Sequence, residues 1–181
     1  MKKLSIFFLI IPLLSLASVS LGGDASKEGD KPPPASSPEF DKIKSLAGSW
    51  EGEGEMNGKK EKVRVDYKVT SAGTAVEETL FPGTTHEMVS LYTVDDGKIL
   101  MTHYCALGNQ PRMKMTKVIK DKKGEKIQLA MVDATGMKSP QDPHMAGLTL
   151  VFKGKNNMVH EWVFKGPEGD KVSVFEYKRK S

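Results

Sequence analysis

From Gly48 onward, apolar and polar residues alternate in short runs, and each run ends in a turn signal. The runs fall at Trp50–Met56, Lys62–Thr70, Ala75–Phe81, His86–Val94, Lys98–Ala106, Arg112–Lys120, Lys126–Asp133, Met145–Phe152, Val159–Phe164 and Val172–Lys178. A period of two sends successive side chains to opposite faces, so each run reads as a strand with one buried face. Between them lie Asn57-Gly58, Ser71-Ala72-Gly73, Pro82-Gly83, Asp96-Gly97, Gly108-Asn109, Lys123-Gly124, Gly154 to Asn157 and Gly166 to Gly169. Glycine and asparagine accept the positive φ that tight hairpins require. No long helical pattern separates the strands, which argues against parallel crossover units. About ten antiparallel strands in sequence curl and close, leaving few edges. The expected fold is all-β, an antiparallel up-and-down β-barrel of about ten strands. A short N-terminal helix precedes it, because Phe40, Ile43 and Leu46 recur at helical spacing from Ser37 or Pro38 to Leu46.

The turns also predict register. A two-residue turn at Asp96-Gly97 sets Val94 against Ile99, Tyr92 against Met101, Ser90 against His103, Met88 against Cys105 and His86 against Leu107. A three-residue loop ending in a left-handed Gly124 sets Ile119 against Ile127 and Met115 against Met131. Pairing Phe152 with Met158 sets Leu150 against His160 and Leu148 against Trp162. His103 and His160 thus both fall mid-strand in the inward, apolar phase.

The chain ahead of the barrel has a different character. Lys2 and Lys3 precede an apolar run from Ile6 to Leu14, and small residues follow at Ser15, Ala17, Ser18 and Ser20. This is the pattern of a secretory signal cleaved after Ala17 or a few residues later. The run is shorter than the roughly 20 residues of a spanning helix, so no stable membrane insertion is expected after cleavage. Residues 22–38, with Pro32-Pro33-Pro34, glycines and serines, bury too little to order themselves and read as a tether. The expected division is a signal over 1–21, a tether over 22–38 and a barrel over 39–181, in a protein exported to a bacterial periplasm or secreted. Removing Lys2 and Lys3 lowers the formal charge from +4 to about +2. The lysines are interspersed with acids, which excludes a nucleic-acid footprint. Cys105 is the sole cysteine, so no internal disulfide forms, and a mid-strand thiol here reads as a small buried hydrophobe.

The segment Leu46-Ala47-Gly48-Ser49-Trp50-Glu51-Gly52 runs a short helix into G-x-W at the first strand. It resembles the opening of the calycin superfamily, which holds the lipocalins, the fatty-acid-binding proteins and the nitrobindin-like haem-binding barrels. The resemblance covers Phe40 to Lys180 and implies that Trp50 closes one barrel end beneath a cationic cover from Arg179. Ten strands with a short first turn look more like nitrobindin than like fatty-acid-binding proteins, which insert a helical lid. Nitrobindins place their iron-ligating histidine close to the chain end, whereas His160, the last histidine here, is followed by a further strand. No residue carries over as a haem ligand. The string T-H-Y-C-A-L-G-N-Q-P-R-M, Thr102 to Met113, resembles one shared by a group of uncharacterised exported bacterial proteins and implies no activity.

The candidate chemistry centres on the interior. Tyr92, Met101, His103, Cys105, Met115, His160 and Trp162 would line a cavity for a small, mostly apolar ligand. Asn109, Gln110 and Arg112 form a rim loop offering donors to an anion or a carbohydrate; a tight turn capping its own backbone fits the same residues. His103 and His160 together can hold haem iron or another metal in a redox or gas-related role, or can be core imidazoles. Four histidines without H-x-H or H-E-x-x-H spacing carry no strong metal motif. Ser90 opposite His103 is the one nucleophile–base pairing generated, and no nucleophile-elbow pattern surrounds it. A filled barrel serving as an interaction module is the third reading.

Overall fold

In the computed structural model, residues 36–56, 59–122 and 124–181 are described. The segments expected to be a signal and most of a tether, the Asn57-Gly58 dipeptide expected to form a turn, and Lys123 lie outside them.

The helix α1 spans Pro38–Lys44. Ser37 caps it, its Oγ accepting from the Phe40 amide at 3.1 Å, and Pro38 fills the first helical position, where no amide partner is needed. It ends a residue or two earlier than its apolar spacing suggests. The amides of Leu46 and Ala47 turn back to the carbonyls of Ile43 and Lys44, and Gly48 at φ 121° redirects the chain. Phe40, Ile43 and Leu46 are buried beneath the barrel.

Ten strands follow among the described residues: β1 (Gly48–Met56), β2 (Lys59–Thr70), β3 (Ala75–Leu80), β4 (Met88–Asp95), β5 (Lys98–Tyr104), β6 (Gln110–Asp121), β7 (Gly124–Thr135), β8 (His144–Phe152), β9 (Asn157–Gly166) and β10 (Gly169–Arg179). Each pairs antiparallel with its sequence neighbours, and β10 returns to β1, so the sheet closes with up-and-down topology. The closing seam runs from Trp50 opposite Arg179 to Gly54 opposite Phe175. Gly52 and Gly54 let it close. A Cβ on Gly52 would stand 1.7 Å from the Glu176 carbonyl oxygen, and one on Gly54 would stand 2.0 Å from the Phe175 ring.

The Asp96-Gly97 turn, with φ of 50° and 70°, has the doubly left-handed backbone that matches strand twist. It sets Val94 opposite Ile99, Tyr92 opposite Met101 and Ser90 opposite His103. The pairing stops sooner than expected. β5 ends at Tyr104, and Cys105 turns away: its amide donates to Asn109 O at 3.1 Å and its carbonyl accepts from Gly108. Cys105 therefore does not oppose Met88, and His86 lies exposed in the preceding loop rather than opposite Leu107. On the far side, Asp121 pairs directly with Gly124, which shortens the expected loop, and irregularities between Met115 and Lys117 and between Arg112 and Met113 shift the register twice. Met113 thus opposes Met131, Met115 opposes Leu129, and Val118 opposes Ile127. A bulge inverts face and register together, so a uniform alternation misplaces these methionines. The β8–β9 register is as expected, with Leu150 opposite His160 and Leu148 opposite Trp162.

Candidate functional site

The up-and-down order puts alternate turns at opposite ends. At the end holding α1, the Trp50 indole donates to Leu46 O at 2.8 Å. Arg179 lies over the indole, its Cζ 4.2 Å from the ring centroid, and its two terminal nitrogens donate to the Ala47 and Ser45 carbonyls at 2.7 Å each. One guanidinium thus ties the last strand, the helix exit and the first strand together. This end is closed.

The middle of the barrel is filled by a polar network that the apolar pattern conceals. Glu78, on β3, is wholly buried. Its carboxylate accepts from the Tyr67 hydroxyl at 2.5 Å and the Tyr92 hydroxyl at 3.0 Å, and Ser90 stands directly across the ladder and acts on the same group. Tyr67 also meets His160 Nε2 at 2.9 Å. Burial pushes the Glu78 carboxyl up against the lowering effect of these hydroxyls, and burial, followed by the neighbouring carboxylate, pushes Tyr67 and Tyr92 well up. His160 is held down at about 3 by burial, so it is neutral, and its ring packs at 4.9 Å on Tyr177.

The opposite end is open. A cavity of about 210 Å³ is lined there by Leu80, Phe81, Met88, His103, Met145, Trp162 and Phe175, with Glu55 and Ser173 at its edge. His103 is 1% exposed, its ring 4.9 Å from Trp162, and burial lowers it to about 4. Its Nδ1 meets Ser90 Oγ at 3.0 Å, while its Nε2 has no partner. The rim loop expected at Asn109 belongs to this end, as does the connection from β7 to β8 that leads into His144. Asn109 Nδ2 donates to Pro143 O at 2.9 Å, and His144 Nδ1 lies 2.6 Å from Asp142 O.

Of the residues expected to line a cavity, His103 and Trp162 do so. Tyr92, Met101 and His160 are inside but packed into the filled middle, Met115 is partly buried against the core, and Cys105 sits half-buried at the turn with its thiol raised by burial. Of the rim set, Asn109 ties two loops together, and Gln110 Nε2 bonds Gly108 O while its Oε1 accepts from Thr135. Arg112 is not at the mouth. It falls on the outward phase of β6 and forms a paired, two-contact ion pair with Asp133. These residues cap and pair with their own neighbours, as a tight turn does.

The two histidines do not share a site. His160 is sealed among Tyr67, Tyr177 and Glu78 and does not line the open-end cavity. That cavity is smaller than the 300–1,000 Å³ of sites for drug-sized ligands, too small for a porphyrin beside His103. Among the described residues, no group of three His, Cys, Asp or Glu side chains is placed to hold a metal ion. The residues present do not fit haem. Ser90 is fully buried between Glu78 and His103, so it is not a nucleophile open to substrate.

Sequence reasoning missed Glu78, Tyr67 and the aromatic mouth residues Phe81 and Phe175. Glu78 had a signal, since Val76-Glu77-Glu78-Thr79-Leu80 places one carboxylate in the inward phase between Val76 and Leu80.

The fold and site define a closed ten-strand antiparallel barrel with one plugged and one open end. No family model matches the chain, and no curated protein matches it. Among solved structures, a redesigned β-barrel is similar at 9% identity and a TM-score of 0.35, over 77% of this chain and 95% of that one. That likeness is too slight to bear on function.

Proposed function

We propose that this chain is an exported, non-enzymatic barrel of the calycin type that holds one small, mostly apolar guest in its open end. The observation that carries this reading is the open-end cavity, walled by three aromatic rings and two methionines and bordered by the buried His103 ring. Pockets of that character, apolar with a single fixed polar group, are where small ligands bind. Methionine adapts its shape to a guest. Export rests on the basic, apolar and small-residue order of the first 21 residues, and the calycin relation rests on G-x-W at Trp50 with Arg179 stacked on it. The outer charges are paired, for example Lys114 with Asp95 and Lys180 with Glu51, which is the arrangement of a solvated surface.

The test is native mass spectrometry of mature protein from the exported fraction, with its N-terminus sequenced and its absorption spectrum recorded. An N-terminus after Ala17 or a few residues later and a releasable organic adduct support the reading. A bare mass that takes up no small apolar compound on titration overturns it in favour of a filled barrel. That second reading draws on β10, whose residues 169–174 pair only with β9 and expose Val172 and Val174.

A further inference from the structure

Alternation along β10 decides which of its backbone groups lack a strand to bond. The Arg179 amide donates to Asn156 O on the β9 side at 3.0 Å, and the Lys180 amide donates to Ser49 O on the β1 side at 2.8 Å. Bonding direction alternates residue by residue in an antiparallel strand, and the β9–β10 register runs unbroken from Gly169 to Lys178. Odd-numbered residues of β10 therefore bond toward β9, and even-numbered ones face the β1 side. The β1 strand meets that side only as far as Gly54 opposite Phe175, while Glu55 and Met56 continue on β2 alone. Among the described residues, the amides and carbonyls of Asp170, Val172 and Val174 thus face no strand.

A groove of about 900 Å³ lies along this edge. Val172, 64% exposed, and Val174, 43% exposed, line one wall, and Glu53, Glu55 and Lys60 line the other. Exposed edges are commonly blunted by proline, a bulge or a charge. This edge has neither proline nor bulge, and its one lysine, Lys171, is held by Glu168 at 2.6 Å. The outward phase reads Asp170, Val172, Val174, Glu176, two valines between two acids. Across the seam Glu176 stands opposite Glu53, an unfavourable pairing of like charges, with Glu55 next along. Among the described residues no ion pair takes up Asp170, Glu53 or Glu55, and Glu176 has only Lys153, at 3.6 Å. Lys62 and Lys165, across the ladders from Glu53 and Asp170, stand outside the groove lining.

Unpaired amides and carbonyls match a main chain, the valines match apolar side chains at alternate positions, and the acids match cations. We propose that residues 170–174 receive an extended segment of a partner protein as an added strand, its outer face reading basic, apolar, apolar, basic at every second residue. A second copy of this chain fits less well. Self-pairing centred on Ser173 sets Asp170 opposite Glu176, and self-pairing centred on Val172 sets Asp170 opposite Val174, so in neither do the acids meet a cation. The proposal does not require a guest in the open-end cavity.

The test is amide hydrogen exchange of the full mature chain by NMR, alone and with the end-blocked peptide Lys-Thr-Val-Thr-Val-Thr-Lys. Alone, the Val172 and Val174 amides should exchange at least about tenfold faster than those of Lys171 and Ser173. Saturating peptide should slow Val172 and Val174 by about tenfold or more. Glutamates in place of both peptide lysines should weaken binding about tenfold at low salt. Methylating the peptide's valine nitrogens, which face β10 in this register, should abolish binding, and methylating its threonine nitrogens should not. No slowing with peptide overturns the proposal, and equal loss from both methylations overturns strand addition. Equal binding of the glutamate peptide overturns the charge order. Slow Val172 and Val174 exchange in a chain that is dimeric without peptide gives the edge to a second copy and overturns the partner.

Discussion

Acid should destabilise this barrel through its two buried imidazoles, and the contribution of one can be isolated. Burial holds His103 at about 4 and His160 at about 3, against about 6.5 in an unfolded chain. As pH falls below 6.5, the unfolded chain takes up protons that the folded barrel refuses. The stability is therefore fully present above pH 6.5 and is lost as pH falls toward 4 for His103 and toward 3 for His160. Each contributes a slope of about 1.4 kcal/mol per pH unit, or about 3 kcal/mol from His103 by pH 4. Glu78 acts in the opposite sense. Its raised carboxyl accepts a proton in the folded state first, which returns some stability between its folded value and the ordinary carboxylate range. Replacing His103 with Gln removes one imidazole and keeps an amide facing Ser90, while leaving Glu78 and His160 in place. Urea unfolding of both proteins, followed by tryptophan fluorescence from pH 7 to pH 4.5, gives the difference directly. Between about pH 6 and 4.5 the wild type should lose about 2 kcal/mol more than His103→Gln. Parallel losses would show that His103 takes up protons as readily folded as unfolded, and the buried, neutral imidazole would be refuted.

Three further outcomes follow from the plugged end, the seam and the turn. Gly52→Ala should cost more than about 3 kcal/mol in thermal or urea unfolding, because its Cβ would collide with the Glu176 backbone at the closing seam. Arg179→Ala should cost about 2 kcal/mol through loss of the Trp50 stack and the bonds to Ala47 and Ser45; Arg179→Lys should recover little, since an ammonium cannot span both carbonyls. Cys105 should be alkylated about tenfold more slowly than free cysteine at pH 8, given its raised, half-buried thiol, and Cys105→Ser should change stability by less than about 1 kcal/mol.

Much of the architecture was legible because a hairpin barrel repeats one local rule. Asp96-Gly97 fixed its own turn, and the turn fixed Ser90 opposite His103 and Tyr92 opposite Met101. The errors arose where that rule is interrupted. Thr116 and Val132 are extra residues in the β6–β7 ladder, and each changes which side chain faces inward. Nothing in the alternation of Met113-Lys114-Met115 marks them. Cys105 was misplaced because the Gly108 turn begins three residues earlier than its glycine, pulling the chain out of the ladder at Tyr104. The site was only half legible. His103 and Trp162 came from period and register, whereas Phe81, just past the end of β3, and Phe175, on β10, reach the mouth from elements distant in sequence. Burying Glu78 depends on Tyr67 and Tyr92 arriving from its two neighbouring strands at once, and the Tyr67–His160 contact that seals it requires β2 and β9 to face each other across the closed barrel.

The central claim is that the open end, and not the filled middle, receives a guest. Methyl-labelled methionine NMR tests it most directly, since Met88 and Met145 line the mouth while Met101 and Met113 are buried in the packed interior. Titration with indole should shift Met88 and Met145 in a saturable way and leave Met101 and Met113 unmoved. Saturable shifts at Met101 and Met113, or none at any methyl, would contradict the account.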